Sequence, residues 1–173
     1  VLHKDGDAMA QGVDGHYLTP DGKIKLDAQF ISSDLDGIGR GYGGFIDGEY
    51  TFRQGVTQRL GIEYFDDKID INDLGFLQRN DHFRIRTAHG RTTSNLGWAR
   101  DNQFDVRGFI QRNDDDYFTG GGVTFSDRLT FNNLSSIRMA VGFRPKFYDD
   151  LNSFGNGLYR VEKSRNFNFS YSS

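Results

Sequence analysis

Carboxylates crowd several short stretches of this chain, and oxygen-rich clusters of that kind are what hard divalent cations bind. Asp34, Asp36 and Gly37 supply part of the spacing of a calcium loop, but no Glu stands at the twelfth position of that register. Asp66, Asp67, Asp70 and Asp73 form a denser group, and Asp114, Asp115 and Asp116 form another. Either group has enough oxygens for calcium or magnesium, including an ion shared with lipopolysaccharide phosphates at a cell surface. Solvated loop charge is the plainer reading of both.

Other patterns carry less chemistry. Gly39–Gly44 reads GRGYGG, which fits the GxGxxG spacing of a dinucleotide-binding turn. Its glycines fall inside an alternating polar–apolar run, where no helix N-terminus follows to hold a pyrophosphate. Close packing or sheet curvature explains them better, and Gly120–Gly122 reads the same way. The four histidines, His3, His16, His82 and His89, lack ligand spacing, and His82 and His89 fall on opposite faces of a regular strand. With no cysteine, thiolate metal sites, a Cys nucleophile and a disulfide framework are excluded. No Ser–His–Asp set or glycosidase-like carboxylate pair can be placed, so the chain is not read as an enzyme.

A third set is cationic: Arg59, Arg84, Arg86, Arg107, Arg138, Arg144 and Lys146. These share one predicted face, and could tune the passage of anions or anchor a plug. Mutual salt bridging with Asp27, Asp47, Glu49, Glu63 and Asp105 is the simpler expectation.

That common face comes from period-two alternation, the mark of strands with one greasy and one polar side. Ile24, Leu26, Ala28 and Phe30 oppose Lys25, Asp27 and Gln29. Tyr42, Ile46, Tyr50 and Phe52 oppose Asp47, Glu49, Thr51 and Arg53, and Leu60, Ile62 and Tyr64 oppose Arg59 and Glu63. The same holds around 82–87, 102–112, 117–131, 137–146 and 167–171. Shorter strands near 13–19 and 158–162 bring the expected total to about ten, with no helix. Gly is abundant at 22 residues, Pro is scarce at 2, and aromatics make up 14%, all of which suits a β-protein.

The strands are longer than the usual 5–6 residues of soluble sheets and suit a tilted membrane strand of about 9–11. The connections sort by end. Those near 20–22, 54–56 and 92–95 are short, whereas 33–40, 66–81, 113–116 and 148–156 are longer and acidic. The connection at 127–135 is less compact than the other short ones. This asymmetry predicts an antiparallel up-and-down transmembrane β-barrel with short periplasmic turns and longer extracellular loops. Tyr17, Phe52, Tyr64, Tyr117 and Tyr148 lie near strand ends, where they could form interfacial girdles. A soluble β-sandwich also alternates, but it buries an apolar inner face and keeps its charge outermost.

The stretch IDINDLGFLQRND at Ile69–Asp81, following EYFDDK at Glu63–Lys68, carries a resemblance. It resembles the outer-membrane barrel region of a Gram-negative bacterial family of unknown function that carries an N-terminal family-9-like carbohydrate-binding domain. The matching positions are Asn72, Asp73, Gly75, Phe76, Leu77, Arg79, Asn80 and Asp81, with GVDGHY at Gly12–Tyr17 and SSDLDGIGRGYG at Ser32–Gly43 also similar. The resemblance implies that residues 1–173 are part of one larger outer-membrane barrel domain, without the carbohydrate-binding domain and further strands.

The expected function is therefore a transport or surface role in the bacterial outer membrane, linked to glycans through the missing domain. A non-transporting anchor for that domain is the alternative, as is a surface hydrolase whose catalytic residues lie outside this chain. Expected partners are outer-membrane lipid, lipopolysaccharide, and a glycan or plug domain, and not nucleic acid.

Overall fold

A computed structural model describes residues 8–71, 77, 79–152 and 157–173. Among these the chain is all-β. Its strands are β1 (Ala8–Leu18), β2 (Ile24–Leu35), β3 (Gly39–Arg53), β4 (Val56–Phe65), β5 (His82–Ser94) and β6 (Ala99–Arg112). They continue as β7 (Phe118–Phe131), β8 (Ser136–Arg144), β9 (Phe147–Asp149), β10 (Tyr159–Val161) and β11 (Ser164–Ser172). Nine of them form one antiparallel up-and-down sheet in the order β1-β2-β3-β4-β5-β6-β7-β8-β11. The strand expected near 158–162 is β10, which pairs with β9 in a separate two-stranded sheet, with β9 against β7.

The sheet is open, with β1 and β11 as its edges. Its register is staggered in one direction. A row of paired residues begins at Tyr17, beside the Pro20 turn, and runs through Leu26, Gly48, Leu60, Thr87, Gly108 and Val123. It reaches Phe143, at the opposite end of the strands, and then Arg165. A row that climbs in this way means strands tilted with respect to their turns, the shear that barrel walls have.

Several connections differ from the sequence expectation. The 33–40 loop shrinks to residues 36–38, because alternation persists to Leu35 and Arg40 of β3 grips Asp34 of β2 with Nε and Nη2, at 3.1 and 2.9 Å. The connection after β6 is also brief, closed by Asn113 and Tyr117. Residues 127–135 hold a tight turn rather than a loose one: the Phe131 amide donates to Ser135 O at 2.8 Å and the Leu134 amide to Phe131 O at 3.0 Å. Two of the four connections at the acidic rim are therefore short, and the asymmetry between the ends rests on residues 66–81 and on the β8–β11 connection.

Neither face of the sheet holds a conventional core. The apolar side chains predicted to share a face do so, but nothing covers them: Val13 is 65% exposed, Ile46 60% and Phe167 69%. The buried apolar residues are instead Leu35, Phe65, Ile69 and Ala99. Three of these meet at the rim. There the chain after β4 folds inward, so that the Ile69 amide nitrogen lies where a Cβ on Gly41 would stand. Gly43 in turn makes room for the Phe65 ring. The GRGYGG motif is thus a close-packing device.

Candidate functional site

The polar faces of the strands line a trough of about 1250 Å³. Lys25, Asp27, Asp47, Glu49, Arg59, Arg84, Arg86, Asp105, Arg107 and Arg144 all border it, with small residues such as Gly61, Gly122, Thr124 and Gly142 between them. Of the predicted cations, Arg138 lies on the same side of β8 as Arg144 by alternation, though deeper toward the short turns.

Charge in the β2–β5 half is cross-linked. Arg86 reaches two strands over to Asp47, at 2.6 Å from Nη2, and also donates from Nη1 to Glu63 at 3.2 Å. Arg84 donates to the other Glu63 oxygen at 3.1 Å and to Gln111 at 2.9 Å, with its guanidinium 5.7 Å from the Phe109 ring centre. His82 joins the same Glu63 oxygen at 2.8 Å, leaving Nδ1 buried without a partner among the described residues. Arg59 pairs with Glu49, and Asp27 bridges His16 and Lys25. Salt bridging therefore absorbs Arg59, Arg84 and Arg86.

The β6–β8 half differs. Among the described residues, Arg107 pairs only with Asp105 of its own strand, at 3.6 Å. Arg128 and Arg138 are direct cross-strand partners on β7 and β8. Neither of them, nor Arg144, forms an ion pair with a described residue. The sequence places Arg128 on the polar face of its strand with Thr124, Ser126 and Thr130, but the predicted set of cations left it out. Lys146 lies beyond β8 and pairs with Glu162 at 2.9 Å.

The acidic rim is occupied by local structure. Asp66 accepts from the amides of Tyr42, Lys68 and Ile69, at 2.7, 3.1 and 2.8 Å, so it pins the inward fold. The Asp70 amide donates to Ser33 Oγ at 3.0 Å. Asn80 donates to the Asp67 carbonyl, and Asp81 accepts from the Asp114 amide, each at 2.8 Å. Arg79 makes a two-pronged bridge to Asp150 at 2.7 and 2.6 Å, tying the 66–81 connection to the one after β8. Asp116 pairs with Arg112 at 2.5 Å, while Asp36 and Asp115 lie exposed in their turns. Asp73 and the neighbouring Asn72, Gly75 and Phe76 lie outside the described residues. No three of His, Asp and Glu among the described residues are placed to share a metal ion. Burial, together with the nearby Asp81, Asp67 and Asp66 carboxylates, holds the Asp114 carboxyl above its ordinary pKa.

Of the histidines, His82 faces the trough beside Glu63, and His89 lies on the opposite face near Gln58, at 3.3 Å. The Arg79–Asp150 bridge was hidden from sequence reasoning because its partners are 71 positions apart, in connections without periodicity. Comparison with models of known families, with curated proteins and with solved structures finds no match.

Proposed function

We propose that this chain is a stretch of wall in a bacterial outer-membrane β-barrel, with the trough as part of a wet lumen through which solutes pass. The observation that carries this reading is the inverted arrangement of the sheet, with charge inside its curvature and apolar side chains bare outside. A sheet in water could not keep so continuous an apolar face uncovered, since patches beyond a few hundred Å² mark a membrane or partner surface. In hydrocarbon the same face needs no cover.

Aromatic placement supports it. Tyr17, Tyr50, Phe52 and Trp98 stand exposed near the short turns, and Tyr42, Tyr64 and Tyr117 near the rim, as two interfacial girdles would. The staggered register and the long strands point the same way. Open edges are not tolerated in lipid, so the wall must be completed. Because nine antiparallel strands leave β1 and β11 running in the same direction, an odd number of further antiparallel strands would join them. A non-transporting anchor for a carbohydrate-binding domain would share this architecture and lack only the flux.

Trp98 is the single tryptophan of the chain and is 65% exposed. After reconstitution into vesicles its emission should shift to the blue and be quenched by lipids brominated near the headgroups. Emission that stays red and unquenched, with the protein left in the aqueous phase, would overturn the membrane reading.

A further inference from the structure

The structure divides the polar face of the sheet into a neutralised half and a cationic half, and we infer that the cationic half, with Arg144 on the border of the trough and Arg128 and Arg138 on the same face toward the short turns, is a track for small anions. This rests on the reading of the trough as a lumen, and deepens it by naming the class of solute.

Three observations carry the inference. First, Arg128 and Arg138 are directly opposed across β7 and β8, a placement in which like charges repel. Their flanking partners in the same row are the uncharged Gln103 and Ser170. Second, no carboxylate lies on the trough side of β7, β8 or β11. Asp127 is the one acidic residue in those strands, and it points to the other face, bonded to Asn102 at 2.9 Å. On that side of β6, Asp101 and Asp105 lie diagonal to Arg128 and, among the described residues, pair only with Arg100 and Arg107. Third, arginine reach does not limit pairing here, because Arg86 spans two strands to Asp47 in the other half. Arg138 therefore remains open because β7, β8 and β11 place no acid beside it, and the acid close to Arg144, Glu162, two residues before its partner Ser164, is engaged by Lys146 at 2.9 Å.

Fixed guanidinium groups along a water-filled wall raise the local concentration of anions. Weak, successive sites of this kind let an ion enter and leave. Planar guanidinium forks suit carboxylate and phosphate oxygens in particular. Chloride and acetate are the simplest probes.

The test is the reversal potential of the intact protein in planar bilayers under a potassium chloride gradient. Anion preference is expected, falling by about twofold for each of Arg128→Gln, Arg138→Gln and Arg144→Gln. The paired double variant Glu49→Gln/Arg59→Gln should leave it nearly unchanged. Conductance with cation preference, or a preference that the three variants do not move, would overturn this inference and leave the lumen reading standing. That result is also what an acidic strand or plug already lying against these arginines would give. Absence of any conductance in a correctly inserted protein would instead remove solute passage itself.

Discussion

The two halves of the trough are built on the same alternation and the same residue types, yet they spend their charge differently. In β2–β5, Arg59, Arg84 and Arg86 each meet a carboxylate on a neighbouring or next-neighbouring strand, and Glu63 by itself accepts from His82, Arg84 and Arg86. In β6–β8 arginine faces arginine. The difference teaches that a polar face is not one kind of surface. A cross-linked half ties its strands together, while the other half leaves several arginines without an ion pair among the described residues.

The sharpest way to break the contrast is at Glu63, whose side chain is 13% exposed. Removing one member of a buried ionic network leaves its partners without compensation, which costs several kcal/mol in dry interiors. Water in the trough reduces that, so Glu63→Gln should cost about 2 kcal/mol, read as a lower melting temperature in detergent. Asp47→Asn should cost less, about 1 kcal/mol, because Arg86 keeps its bond to Glu63. Equal losses for the two variants would mean that Glu63 is not the hub.

Arg138→Gln and Arg144→Gln should behave in the opposite way. Each removes a charge that makes no ion pair with a described residue, so melting should move by no more than about 0.5 kcal/mol, and upward for Arg138→Gln as the repulsion with Arg128 ends. A loss as large as that at Glu63 would show that these arginines are structural after all and erase the distinction between the halves.

Much of this was legible in the sequence. One residue in two decides a face, so Lys25, Asp27, Asp47, Arg59, Arg84, Arg86 and Arg144 could be placed on one side of a sheet from spacing alone. Closure was not legible, since period-two alternation is the same in a barrel wall and in an open sheet. Loop lengths misled where polar residues prolonged a strand. Ser33 and Asp34 look like the start of a loop, but Ser33 is buried under the Asp70 amide and Asp34 is paired with Arg40. The inward fold at Ile69 was invisible because it depends on the missing side chain of Gly41, two strands' ends meeting, and an Asp66 cap, none of which has a period. Within the IDINDLGFLQRND stretch that carries the resemblance, Arg79, Asn80 and Asp81 help tie the rim together.

The smallest expected effect lies at the rim, where like charges of the opposite sign are gathered. Asp114 is partly desolvated and stands near Asp81, Asp67 and Asp66, so its folded-state pKa is raised. A carboxyl with a raised pKa binds its proton more tightly in the folded state. Its contribution is therefore most favourable in acid and is lost as pH rises from the unfolded value through the folded one. Asp114→Asn should melt slightly higher than the parent near neutral pH, with the gap closing as pH falls into the carboxylate range. The Asp81 acceptor would keep its bond, since the Asp114 amide, not its carboxyl, is the donor. A gap that is constant from about pH 3 to pH 7 would show that neither burial nor the neighbouring carboxylates raise the Asp114 carboxyl in the fold. Directly opposed like charges, Arg128 with Arg138 and Asp27 with Asp47, would then be where the described fold still sets equal charges side by side.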